Sequence, residues 1–154
     1  MGLRANISVV VGSALLAASF STAHAHADTG TIQNDATKFC LDVNPGVPAN
    51  ANIVTQTCSE DGFQNWVHTS NPGTIKNVAA INPEGLCLDN NTTGSVTINP
   101  CNGSKSQQWT IERTGPTGPG PIRNVATALC LDSNAENKVH TSRCNNLKSQ
   151  QWIK

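Results

Sequence analysis

Gln107-Gln108-Trp109 stands 43 residues after Gln64-Asn65-Trp66 and 43 residues before Gln150-Gln151-Trp152. These copies of Gln-x-Trp hold all three tryptophans of the 154-residue chain, so its largest side chains occupy one repeated position. A period of about 40 residues marks one supersecondary unit used several times, because such a unit buries its apolar face only against its neighbours.

Other landmarks recur around the triplets. Each unit opens on Ile-x-Asn-x-Ala: Ile32-Gln33-Asn34-Asp35-Ala36, Ile75-Lys76-Asn77-Val78-Ala79 and Ile122-Arg123-Asn124-Val125-Ala126. Cys-Leu-Asp follows at Cys40-Leu41-Asp42, Cys87-Leu88-Asp89 and Cys130-Leu131-Asp132. A second cysteine (Cys58, Cys101, Cys144) precedes each tryptophan by eight residues. Length differences fall between the landmarks: four extra residues around 44–52 in the first unit and four at 82–85 in the second. The repeats are read as approximately 31–73, 74–119 and 120–154.

Between Gly, Pro and Asn clusters the segments are short and alternate apolar with polar, as in Phe39-Cys40-Leu41-Asp42-Val43 and Gln108-Trp109-Thr110-Ile111. That alternation predicts β-strands. After the first residues no stretch keeps a helical period over ten positions. About four short strands per unit, used three times, predict a closed all-β arrangement with pseudo-threefold symmetry and no exposed strand edges. The Gly- and Pro-rich run from Thr114 to Pro121 reads as a surface loop between units, because Trp109 to Cys130 spans the same 21 residues as Trp66 to Cys87.

Arg4 lies ahead of a mostly apolar run of 14 residues, Ile7 to Phe20, and A-x-A sites end at Ala25 and Ala27. This reads as a secretory signal peptide over residues 1–27, leaving a single 127-residue domain at 28–154. The run falls short of the roughly 20 apolar residues of a membrane helix. The product is therefore expected to be secreted and extracellular, without membrane insertion, and monomeric.

Without Arg4, nine Lys and Arg stand against ten Asp and Glu, and the basic residues are scattered singly. A nucleic-acid surface needs a basic stripe, so nucleic acid is not an expected partner. Only two histidines lie beyond the leader, His68 and His140, at non-equivalent positions. No nucleophile elbow or phosphate loop is present, and neither C-x-x-C nor Cys/His zinc spacing occurs. No enzyme activity, cofactor or metal is expected. Six cysteines in a secreted chain point to disulfides. Of 15 possible pairings the repeat suggests Cys40–Cys58, Cys87–Cys101 and Cys130–Cys144, each contributing about 3 kcal/mol on the chain-entropy model.

Cys-Leu-Asp, a second cysteine and Gln-x-Trp, three times over, resembles the ricin B-type lectin family and its bacterial carbohydrate-binding modules. The resemblance covers essentially all of 28–154. It implies a β-trefoil, a six-stranded barrel capped by three hairpins, with one potential sugar pocket per unit. It also implies that Trp66, Trp109 and Trp152 fill the shared core and that Gln64, Gln107 and Gln150 support the pockets.

The family's pocket carboxylate maps onto Asp42, Asp89 and Asp132. A carboxylate accepts two sugar hydroxyls at once through charge-assisted bonds; the alternative role is to close the following turn. Four positions before the second cysteine, where the family places a polar residue, stand Val54, Thr97 and His140. Two positions before it, where the family places an aromatic platform for a sugar's C–H face, stand Gln56, Asn99 and Ser142, none of them aromatic. The family's Asn ahead of the triplet Gln is replaced by Phe63, Ser106 and Ser149. The expected carbohydrate contacts are Asp42, Gln56 and Gln64 in the first unit and Asp89, Thr97, Asn99 and Gln107 in the second. Asp132, His140 and Gln150, in the third, form the best-equipped set. Two functions stay open: non-catalytic, weak, multivalent binding of polysaccharide or glycan, or a degenerate trefoil that contacts protein as a toxin subunit, inhibitor or envelope component.

Overall fold

The computed structural model describes residues 28–43, 49–59, 61–79 and 85–154. The expected leader at 1–27, and residues 44–48 and 82–84 of the two insertions, lie outside them.

Strand-forming alternation produces 14 short strands among the described residues, as expected of an all-β chain. The first unit supplies β1 (Asp28–Gly30), β2 (Gln33–Asn34), β3 (Cys40–Asp42), β4 (Ala51–Asn52), β5 (Val54–Gln56) and β6 (Trp66–His68). The second supplies β7 (Gly73–Asn77), β8 (Leu86–Asn90), β9 (Val96–Pro100) and β10 (Gln108–Ile111). The third supplies β11 (Ile122–Asn124), β12 (Cys130–Ser133), β13 (Val139–Ser142) and β14 (Trp152–Ile153).

The first and last strands of each unit close a ring. β6 pairs with β1 and β7, β10 with β7 and β11, and β14 with β2, all antiparallel. Gly120, just ahead of β11, completes the ring by bridging Trp152. The middle strands form three hairpins, β3–β5, β8–β9 and β12–β13. The hairpins also touch one another, at Ala51 and Ile98, at Val54 and Lys138, and at Ser95 and His140. This is a β-trefoil.

The core repeats with the sequence. Trp66, Trp109 and Trp152 are fully buried, together with Ile32, Ile75 and Ile122 and with Leu41, Leu88 and Leu131. A buried indole N–H needs an acceptor. Each tryptophan finds one in the leucine carbonyl of its own Cys-Leu-Asp, Leu41 at 3.0 Å, Leu88 at 3.0 Å and Leu131 at 2.9 Å. The cysteines pair as Cys40–Cys58, Cys87–Cys101 and Cys130–Cys144, one bridge within each unit.

A glycine is the register partner of every tryptophan on the neighbouring segment: Gly30 beside Trp66, Gly73 beside Trp109 and Gly120 beside Trp152. A Cβ on Gly73 would lie 2.3 Å from the Ser70 carbonyl oxygen, and one on Gly120 would lie 1.4 Å from that of Glu112. Gly120 belongs to the Thr114–Pro121 run, which folds back on itself. Glu112 N–H donates to Pro121 O at 3.1 Å and Thr114 Oγ1 to Pro119 O at 2.7 Å. The run is a turn extending the β10–β11 hairpin.

The asparagine of Ile-x-Asn-x-Ala joins one unit to the next. Asn77 Nδ2 donates to Phe63 O at 2.8 Å, Asn124 Nδ2 to Ser106 O at 2.7 Å and Asn34 Nδ2 to Ser149 O at 2.8 Å. Its Oδ1 accepts the N–H two residues on, from Ala79, Ala126 and Ala36, at 3.1 Å each. The carbonyl that each asparagine grips lies immediately before a triplet glutamine, inside a short 3-10 turn (Gly62–Gln64, Lys105–Gln107, Lys148–Gln150). That grip positions the site.

Candidate functional site: three carboxylate pockets

Along a strand successive side chains face opposite ways. In Cys-Leu-Asp the leucine therefore enters the core while the cysteine and aspartate share the other face. Antiparallel register sets Val54 opposite Asp42, Thr97 opposite Asp89 and His140 opposite Asp132. Gln56, Asn99 and Ser142 stand opposite the cysteines of the same triplets. Each unit thus gathers its aspartate and both expected neighbours on one face of a hairpin.

The triplet glutamine reaches that face from its 3-10 turn and is itself buried. Its Nε2 donates to the aspartate Oδ2: Gln64 to Asp42 at 2.7 Å, Gln107 to Asp89 at 3.1 Å and Gln150 to Asp132 at 2.9 Å. The same nitrogen donates to the carbonyl before the second cysteine, on Thr57, Pro100 or Arg143, at 3.0–3.1 Å. Its Oε1 accepts the N–H after that cysteine, from Ser59, Asn102 or Asn145, at 2.8–2.9 Å. The glutamine is held on both sides of the disulfide, so the aspartate meets a donor of fixed position.

Beyond this shared frame the pockets differ. Asp132 is 8% exposed and its Oδ2 also accepts from Ser142 Oγ at 2.8 Å. Burial pushes this carboxyl up, but bonds from Gln150, Ser142 and Ser149 and the charge of His140 outweigh it and hold it below its ordinary range. Asp42 is 5% exposed, and its buried Oδ1 meets no donor among the described residues. Burial pushes Asp42 above its ordinary range, the Gln64 bond opposes that, and the Asp61 charge adds to it. Asp89 is half-buried and opens on a cavity of about 390 Å³. There Asn99 Nδ2 donates to Asp89 Oδ2 and to Thr97 Oγ1, both at 3.2 Å.

A lectin family's landmarks are therefore joined in three dimensions as well as in order, and the family described as "Ricin-type beta-trefoil lectin domain" matches residues 28–152. The chain belongs to the ricin-type β-trefoil lectin domain family. A comparison with curated proteins finds no match. Among solved structures, the chain is similar to a designed threefold-symmetric protein, ThreeFoil, at 19% identity and a TM-score of 0.67, covering 80% of this chain and 95% of that one. It is similar to the hemolytic lectin CEL-III at 25% identity and a TM-score of 0.67, covering 81% of this chain and 29% of that one. SeviL, solved bound to asialo-GM1 saccharide, shows 18% identity and a TM-score of 0.63 over 82% of this chain and 95% of its own. The chain thus spans under a third of CEL-III and nearly all of the other two.

In this ricin-type domain, exposure orders the pockets differently from their polar inventory. The third unit has the fullest set, yet Asp132 is buried beneath its partners, whereas the second unit presents an accessible carboxylate. Gln56 is exposed. Ser142 was not among the expected contacts, although its place two before Cys144 matches that of Asn99 and both donate to the aspartate. The third unit also contributes Ala126 and Thr127 to the Asp89 cavity, a contact between units that no spacing within a unit could reveal. Among the described residues no group of three His, Cys, Asp or Glu could hold a metal ion.

Proposed function

We propose that the chain is a secreted, monomeric, non-catalytic domain that binds polysaccharide or glycan weakly at each pocket and through several pockets at once. One observation carries this reading: the same glutamine-held aspartate is built three times and opens, at Asp89, on a cavity with Thr97 and Asn99 on its wall. A carboxylate with one oxygen already on a donor keeps its remaining lone pairs for ligand hydroxyls. The saccharide bound by SeviL and the lectin CEL-III are in keeping with it.

The lack of an aromatic platform implies weak single sites. Pockets on one rigid body gain affinity for a polymer through effective concentration. Titration of free monosaccharides beside retention on a polysaccharide column tests this. Retention on the polymer is expected with millimolar or weaker affinity for the single sugar. Equal failure of both, with the domain folded, would remove the reading. It would favour protein contact instead, for which Val78 and Leu147 are the exposed large apolar side chains among the described residues.

A further inference from the structure

The three hairpins together line a cavity of about 670 Å³, separate from the Asp89 pocket. Small-molecule sites commonly measure about 300–1,000 Å³. Ile53 and Val139, only 1% and 7% exposed, give this one an apolar floor. Its polar lining includes Asn52, Asn134, Lys138 and His140, drawn from two of the units, with Ser95 from the remaining one.

These side chains offer donors. Asn52 Oδ1 already accepts from Ser95 Oγ at 3.4 Å, and Asn134 Oδ1 accepts the N–H groups of Glu136 and Lys138 at 3.0 Å each. With the carbonyl ends taken, the amide ends remain, and neither Nδ2 donates to another described residue. Lys138 Nζ pairs with Glu136 at 3.1 Å, but both side chains are more than 70% exposed. Such a pair contributes little and exchanges readily for another anion. No Asp or Glu is among the described residues lining the cavity. The Asp pockets have the opposite character, since a carboxylate repels an anionic sugar.

The geometry points to a fourth binding site, between the hairpins, that takes a carboxylated sugar: a uronate residue of an acidic polysaccharide. Its carboxylate lies against Lys138 and His140, its hydroxyls meet the Asn52 and Asn134 amides, and its C–H face covers Ile53 and Val139. That the ligand is a sugar rests on the proposed lectin function; that it is anionic rests on the cavity alone.

Trigalacturonic acid and its methyl ester, which keeps the hydroxyls and loses the charge, are the probes. Amide shifts of Gly94 and Val139 report occupancy. The acid is expected to move both and to bind about tenfold more tightly than the ester, the contribution of one charge-assisted contact. Lys138→Ala is expected to erase that difference, while Asp89→Ala leaves it intact. Absence of shifts with the acid, equal binding of acid and ester, or loss with Asp89→Ala instead of Lys138→Ala would overturn the site. Uronate binding without any retention on neutral polysaccharide would remove the Asp-pocket reading and leave this site standing.

Discussion

Asn34 donates its side-chain amide to the carbonyl of Ser149, 115 residues away, at 2.8 Å. The first unit thereby grips the turn of the last, as Asn77 grips Phe63 and Asn124 grips Ser106. The ring of units is closed by the same bond that joins consecutive ones. Replacing Asn34 by Ala removes this donor and an acceptor for Ala36 and Thr37 N–H. Each buried polar group left unpaired costs about 1–3 kcal/mol. Urea unfolding of Asn34→Ala, Asn77→Ala and Asn124→Ala is expected to show losses of that order in all three. A near-neutral Asn34→Ala would mean that the chain termini are not held by this grip.

Asp89 is the accessible carboxylate. Asp89→Ala is expected to lower glycan affinity at its pocket by tenfold or more, about the worth of one charged hydrogen bond. Stability should change by less than about 1 kcal/mol, because the group is only half-buried and borders an open cavity. Calorimetric titration beside thermal unfolding separates the two effects.

The carboxyls of Asp42 and Asp132 are shifted in opposite directions. Asp132 is held below its ordinary value of 3.8, so its bonds stabilise the fold above that pH, and the contribution is lost as pH falls through the lowered value. Asp42 is raised above 3.8, so the folded state holds its proton more tightly. Stability from Asp42 is full below 3.8 and declines as pH rises through the raised value. Asp42→Asn is accordingly expected to stabilise the protein at neutral pH and to lose that advantage in acid. Asp132→Asn is expected to destabilise at neutral pH. Unfolding curves between pH 3 and pH 7 read both.

Gly120 and Gly30 occupy matching places beside Trp152 and Trp66 but have different surroundings. A methyl on Gly120 would collide with the Glu112 backbone, whereas nothing lies within 4 Å of one on Gly30. Gly120→Ala is expected to cost more than about 2 kcal/mol and Gly30→Ala to stay within about 0.5 kcal/mol. Denaturant midpoints of the pair check it.

Trp109→Ala is expected to cost about 3–5 kcal/mol, since it empties a fully buried site and leaves the Leu88 carbonyl without its indole partner. A domain of this size has about 5–15 kcal/mol in all. Loss of the cooperative thermal transition is the expected readout.

The threefold architecture and the disulfide pairing were legible from residue order, because a repeat imposes the same local environment on each copy, while the burial of the tryptophans was what the family resemblance implied. The pairing of a carboxylate with a supporting amide was what the resemblance of Cys-Leu-Asp and Gln-x-Trp to the ricin B-type family implied. The roles of Asn34, Asn77 and Asn124, of Gly73 and Gly120, and of Thr127 in the Asp89 cavity were legible in neither. The three asparagines and Thr127 act across the boundary between units, and a pattern read within one unit carries no information about what the next unit sets beside it. Exposure was decided in the same way. Three aspartates of the same Cys-Leu-Asp triplet become one accessible and two buried carboxylates, because solvent access depends on how neighbouring hairpins and turns close over each one.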